Sequence, residues 1–201
     1  MSIIIQDIVK EYDGLKVLDG ISLEIPDGSS VCIMGESGSG KTTLMRIIMG
    51  LEKADSGSIY GVPDKISGVF QEDRLCNSFS SLVNIRIATK KSDREIIGCL
   101  TALGLGEKKQ YSKPVGKLSG GMRRRVAIAR ALLFDAPLII FDEPFKGLDA
   151  QTKSNVINFI LQSTAGKTLI FVTHSIEEAK LLGASIIKID CRDNNSDSSV
   201  I

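Results

Sequence analysis

A chain of 201 residues with 43% hydrophobic content is long enough for one domain with a buried core, or for one domain carrying a small inserted lobe. Its formal net charge of +1 excludes a bulk electrostatic pull toward nucleic acid or an anionic membrane. Four cysteines, Cys32, Cys76, Cys99 and Cys191, form no CxxC pair, which argues against a metal site or a disulfide framework, fits a reducing cytosol and leaves each as a small apolar filler.

The first residues, Met1 to Gln6, lack the basic start and the long apolar run of a signal peptide. No stretch approaches the ~18–20 apolar residues of a membrane span. If the protein works at a membrane, another chain is expected to supply the membrane part.

Ile3–Val9, Leu15–Val17 and Ile21–Ile25 read as short strands, punctuated by turns at Asp13-Gly14 and Pro26-Asp27-Gly28. An antiparallel sheet is expected there. Ser30–Met34 is an apolar run with the character of a buried strand, and Lys41–Met49 has helical periodicity through Leu44, Ile47 and Ile48 before Gly50 closes it.

Between that strand and that helix lies Gly35-Glu36-Ser37-Gly38-Ser39-Gly40-Lys41-Thr42, a full match to GxxxxGK[ST]. Glycines let the backbone wrap closely around phosphates with its amides pointing inward, and the helix that follows adds its positive end. In such a loop the lysine reaches the β- and γ-phosphates and the hydroxyl of Thr42 faces Mg²⁺.

Gly68–Phe70 reads as a strand ending at Gln71. Beyond it the character changes: Ser92-Asp93-Arg94-Glu95 is a capping box, followed by an apolar stripe of Ile96, Ile97, Leu100 and Leu103. Residues 72–135 are therefore expected to be mainly helical. Leu118-Ser119-Gly120-Gly121-Met122 opens another helix, with Met122, Val126, Ala129 and Leu133 on its apolar face and Arg123, Arg124, Arg125 and Arg130 mostly elsewhere. Ser119 can cap it, and two glycines leave its first amides bare, which makes a second anion site. The residues alone fit an ordinary capped helix with a solvated arginine face equally well.

Leu138–Phe141 is a third buried strand, ending in Asp142 and Glu143. At a strand's C-terminal end, beside the nucleotide crevice, Asp142 can hold Mg²⁺ and Glu143 can polarise a water. Thr168–Val172 is a further buried strand. His174, the single histidine, follows it, and Ser175-Ile176-Glu177-Glu178 reads as another capping box. The tail 192–201 is polar and is expected to be loose.

Taken together these motifs resemble the ATP-binding subunits of ABC transporters. The similarity runs from Ile3 to Ile189, and Leu118–Met122 resembles that family's LSGGQ signature. The resemblance implies an α/β P-loop NTPase fold of RecA-like type: a mainly parallel sheet, an N-terminal antiparallel β subdomain and an inserted helical subdomain. It divides a single domain into core 1–71 and 136–191, lobe 72–135 and tail 192–201. It implies ATP and Mg²⁺ as ligands, with ATP held by Tyr12 stacked on adenine and by Gly35, Glu36, Ser37, Gly38, Ser39, Gly40, Lys41, Thr42 and Thr43. Thr42, Gln71 and Asp142 would arrange the metal. Glu143, His174, Gln71 and Lys41 would carry catalysis, and the loop Gly147-Leu148-Asp149 would cross a dimer interface. Leu118, Ser119, Gly120, Gly121 and Met122 would close on the nucleotide of a second copy.

That reading implies a homodimer on ATP, a membrane permease, a solute-binding protein and a place on the cytoplasmic face of the membrane. Gln71-Glu72-Asp73-Arg74-Leu75 and Asp142-Glu143-Pro144-Phe145 resemble the nitrate, sulfonate and taurine importers within the family. Departures are Met122 in place of glutamine, Lys146-Gly147 in place of small residues, and a short span of 46 residues between Gln71 and Leu118. A further C-terminal domain, present in some importers, is also missing from the pattern. An exporter motor, a lipoprotein-release motor and a soluble ABC ATPase remain alternatives. A different P-loop kinase would leave Leu118–Met122 and His174 without a role.

Overall fold

The computed structural model describes residues 2–189; the tail 192–201 and Cys191 lie outside the described residues. The chain opens with a hairpin of β1 (Ile3–Tyr12) and β2 (Leu15–Ile25), joined at Asp13-Gly14, where φ is +49° and +81°. Two consecutive positive φ values match the twist that a two-residue hairpin demands. Both strands outrun their expected bounds. Irregular register between Ile5 and Glu11 lets the ladder continue past positions where the apolar alternation breaks. β4 (Ser56–Tyr60) joins the other side of β1, giving an antiparallel sheet ordered β2-β1-β4. Its Ser-Gly-Ser opening carries no apolar signal that would mark it as a strand.

The second sheet is parallel, with the order β5-β6-β7-β3-β8. Its strands are β3 (Ser30–Met34), β5 (Ile66–Val69), β6 (Leu138–Asp142), β7 (Thr168–Val172) and β8 (Ser185–Lys188). β5 begins two residues before the expected Gly68 and ends before Phe70, whose carbonyl turns to a helix instead. Every residue of β6 and β7 is buried, as parallel strands covered on both faces require.

The two faces feed two apolar clusters. Val31, Ile33, Ile140, Ile170 and Val172 face α1 (Lys41–Ile48) and the antiparallel sheet. Cys32, Ile139, Phe141, Leu169 and Phe171 face the other way, into a cluster that continues through Ile85, Leu100 and Val126. Buried Cys32 and Cys99 are apolar filling: burial pushes each thiol up to about 12.

Between β5 and β6 the chain is helical. α2 (Ser81–Arg86), α3 (Asp93–Ala102), α4 (Lys108–Tyr111) and a 3-10 turn at Val115–Lys117 lead to α5 (Gly120–Leu133). Ser92 and Glu95 close the capping box that starts α3. α6 (Ala150–Ser163) and α7 (Ile176–Leu181) are the remaining helices among the described residues. α7 departs from expectation. Ser175 accepts from the Glu178 amide at 3.3 Å, but Glu178 does not reach back. Its carboxylate accepts instead from Thr173 Oγ1 and from Lys153 Nζ at 2.6 Å. The buried carboxylate takes a cation and a hydroxyl, and the Ser175 amide donates to Thr173 Oγ1 at 3.2 Å instead.

Candidate nucleotide site

The loop after β3 is built by steric necessity at Gly35 and Gly40. A Cβ on Gly35 would lie 2.2 Å from the Ile189 carbonyl oxygen. At Gly40, φ is +81° and a Cβ would lie 2.6 Å from the Val17 carbonyl oxygen, so neither position takes a side chain. Lys41 opens α1 and is buried. Its Nζ donates to the carbonyls of Gly35 at 3.0 Å and Glu36 at 2.5 Å, and to Ser39 Oγ at 3.2 Å. The ammonium is therefore folded into the loop's own concavity.

One residue on, Thr42 Oγ1 donates to Asp142 Oδ2 at 2.8 Å, joining α1 to the end of β6. Burial pushes the Asp142 carboxyl above the usual range, the Thr42 hydrogen bond opposes this, and neighbouring Glu143 adds to the rise. Glu143 has a φ of +49°, rare for a residue with a side chain, and its amide donates to the Val172 carbonyl at 3.1 Å. Lys146 Nζ lies 2.8 Å from Glu143 Oε2, and His174 Nε2 lies 3.3 Å from Oε1. Lys146 is the main reason that the Glu143 carboxyl sits below its usual range. The adjacent acids are thus driven in opposite directions by environment.

These groups line one cleft of about 350 Å³. Its walls include Tyr12, Ser37, Gly38, Gly40, Lys41, Thr42, Thr43, Gln71, Asp142, Glu143 and His174. Tyr12 stands at the rim, 40% exposed, with its hydroxyl donating to Glu52 and Lys10 Nζ 5.3 Å from its ring centroid. Thr42 and Asp142 form an oxygen pair that suits a hard divalent ion. Among the described residues no group of three or more His, Cys, Asp or Glu side chains converges as a metal site.

Ser119, Gly120 and Gly121 are elsewhere. With Lys146, Gly147, Leu148, Asp149 and Gln71 they line a second open cleft of about 570 Å³. Ser119 caps α5 through Met122 N at 3.3 Å, and a Cβ on Gly121 would meet the Gly147 carbonyl at 3.0 Å. Leu118 is buried and Met122 packs against the core. Within one chain, then, the two phosphate-type loops do not meet; Gln71 lines both clefts. A third open cleft, lined by Asp27, Asp64, Pro137 and Thr168, lies at the opposite end of the parallel strands.

The arginines of α5 do not form a solvated face. Arg124 is buried and donates to the Phe70 and Gln71 carbonyls at 2.5 Å each. Arg130 donates to the Arg74 and Asp73 carbonyls at 2.9 and 3.1 Å. Arg125 donates to Leu103 O at 2.9 Å. Apart from the bond of Arg125 Nε to the Gly121 carbonyl one turn back, their partners lie 21 to 57 residues away in sequence, so no local periodicity could point to them.

A parallel sheet with its glycine loop after β3, its acids at the end of β6 and its ordered lysine at the head of α1 defines a P-loop nucleotide-hydrolysing protein. Within that class, the sequence profile of the ABC transporter family matches residues 18–146. The aliphatic sulfonates import ATP-binding protein SsuB 1 of Paracoccus denitrificans is 35% identical over 192 residues, covering 92% of this chain and 78% of its own length. The corresponding SsuB protein of Ralstonia nicotianae is 38% identical, covering 90% and 67%. The dimeric, post-hydrolysis structure of the ATP-binding cassette MJ0796 with ADP and Pi superposes with a TM-score of 0.84 at 29% identity, covering 94% of each chain. The chain belongs to the ABC transporter family, as an ATP-binding cassette with ATPase activity.

Proposed function

We propose that two copies of this chain bind two MgATP molecules head to tail and power import of a small organic anion of the aliphatic sulfonate type. The observation that carries the dimer is the separation of the clefts: Lys41, Thr42, Asp142, Glu143 and His174 line one, and Ser119–Gly121 line another. A helix N-terminus with bare glycines suits a phosphate. Its own chain's nucleotide cleft is a different one, so a partner's γ-phosphate is its natural ligand.

In this reading Tyr12 packs on the adenine, and the loop Gly35, Glu36, Ser37, Gly38, Ser39 and Gly40, with Lys41 and Thr43, holds the phosphates. Thr42, Asp142 and Gln71 would hold Mg²⁺, whose charge would offset that of the phosphates. Glu143 accepts the proton of the attacking water. His174, beside Glu143, orients that water against the γ-phosphate. Lys41 leaves the Gly35 and Glu36 carbonyls for the incoming phosphates. Residues 72–135 form the lobe that presents Ser119–Gly121, and Gly147-Leu148-Asp149 crosses to the partner.

No helix among the described residues is long and apolar enough to cross a membrane. A separate permease supplies that part and holds the cassette on its cytoplasmic face, with a solute-binding protein outside. The relatives named for sulfonate import support the solute class and direction. The exporter reading rests on likeness to an ATP-bound Atm1-family exporter, with a TM-score of 0.86 at 25% identity over 37% of that chain.

Size-exclusion chromatography with MgATP, on wild type and Glu143→Gln, tests the core of this reading when phosphate release is followed on the same samples. The variant should elute as a dimer only with ATP, while wild type releases phosphate. A variant that turns over ATP at the wild-type rate removes Glu143 as the base. With the permease present, sulfonate-loaded binding protein should stimulate hydrolysis; an export motor would show no such response.

A further inference from the structure

Gln71 sits on a loop with no regular structure, between the end of β5 and α2, yet that loop is held from one side by one helix. Arg124 gives one hydrogen bond each to the carbonyls of Phe70 and Gln71, both at 2.5 Å. Arg130, nearly two turns further along α5, takes the carbonyls of Asp73 and Arg74. Asp73 returns the contact, with Oδ1 at 3.3 Å from Arg124 Nε. The Arg74 guanidinium lies 3.9 Å from the Phe70 ring centroid, and Arg74 itself has a φ of +45°. Four of the five carbonyls from residue 70 to residue 74 are thus satisfied by two arginines of α5.

A planar fork is needed for this. Arginine can bond two successive carbonyls at once, whereas lysine offers a single ammonium. Charge-assisted bonds to a fixed, buried partner are also the stronger kind. The Arg124 side chain is 7% exposed, so its charge stays in the fold only because these acceptors and Asp73 are present. The same helix begins at Ser119, five residues before Arg124.

We propose that Arg124 is a positioning residue for Gln71: by fixing the two peptide groups that flank it, through the Phe70 and Gln71 carbonyls, it makes the glutamine move as one body with α5. This rests on the proposed role of Gln71 at the metal and water. Removing the fork frees Gln71 to leave the cleft without touching any group that holds ATP. The expected signature is a fall in kcat with little change in KM for ATP, and loss of the dependence on Gln71.

The test is a double-mutant cycle on the full chain with Arg124→Met and Gln71→Ala, following phosphate release, nucleotide affinity and thermal melting. Each single variant should lower kcat about tenfold with ATP affinity within twofold of wild type. The double variant should fall no further than the lower single one, because both changes remove the same contact. Arg124→Lys should recover part of the rate. Where Arg124→Met melts several degrees early, the cycle is repeated with Asp73→Asn in all four proteins, which removes the stranded carboxylate. Independent, multiplying losses overturn the proposal, as does an Arg124→Met protein with wild-type kcat. A wild type that releases no phosphate instead brings down the reading of the site itself, and ATP-dependent dimerisation of Glu143→Gln shows which of the two has failed.

Discussion

Asp142 and Glu143 are neighbours with opposite electrostatic histories. Asp142 pays for burial, so its carboxyl is raised; Glu143 gains Lys146, so its carboxyl is lowered. A carboxyl raised in the folded state destabilises the fold at neutral pH, and that penalty disappears as pH falls through the raised value. Asp142→Asn should therefore raise the melting temperature of nucleotide-free protein at pH 7 by about 2–4 °C, the equivalent of ~1 kcal/mol in a chain this size, while abolishing hydrolysis. The gain should shrink on acidification; a melting point that drops at pH 7 would mean that the Thr42 bond outweighs desolvation. Glu143 runs the other way. Its contribution is present above the unfolded carboxyl range and is lost as pH falls through the depressed folded value. The Lys146 side chain is 59% exposed, so screening limits Lys146→Ala to a loss of less than ~1 kcal/mol at pH 7, and urea titrations at decreasing pH should show that loss shrink as Glu143 protonates.

At the scale of single elements, α7 is fixed by chemistry that its sequence disguises. Ser175 and Glu178 have capping-box spacing, but the Glu178 carboxylate is buried and turns to Thr173 and Lys153. That carboxylate ties α7 to α6 and to the loop that ends at His174. Lys153→Met leaves a buried carboxylate with one hydroxyl donor and no cation, and should cost about 1–2 kcal/mol by thermal melting, since Lys153 is itself 35% exposed. Glu178→Gln keeps a hydrogen-bonding oxygen and should cost less; equal losses would point to packing rather than charge. The same lesson applies to α5. Helical periodicity marks the side away from its apolar face as solvated, but Arg124 and Arg130 find carbonyls that only the tertiary fold brings near. What the sequence shows well is what depends on neighbours along the chain: the phosphate-type loop, the apolar strands β3, β6 and β7, the acids at the end of β6 and the cap at Ser119. What it hides depends on distance. β4 lacks an apolar run, and the pairing of Glu178 with Lys153 spans 25 residues.

Over the whole molecule, the sheet order sets when the site can exist. β3, which launches the phosphate-type loop, is paired on one side by β7 and on the other by β8. The backbone is sealed further by Ile189, whose amide donates to the Met34 carbonyl at 2.8 Å. Its carbonyl oxygen stands where any side chain at residue 35 would have to go. The strand that comes early in the sequence therefore waits for partners far downstream, at Thr168–Val172 and Ser185–Lys188. A nascent polypeptide emerging from the ribosome carries every residue of the glycine loop long before it can hold that loop in shape. Chains truncated at residue 167 should bind no ATP, as read by fluorescent-nucleotide titration, although Gly35 to Thr43 are all present; tight binding by such a fragment would show that the loop forms without its flanking strands. Affinity for nucleotide thus requires that synthesis has passed β7 and β8, and a chain stopped short of them cannot take up ATP.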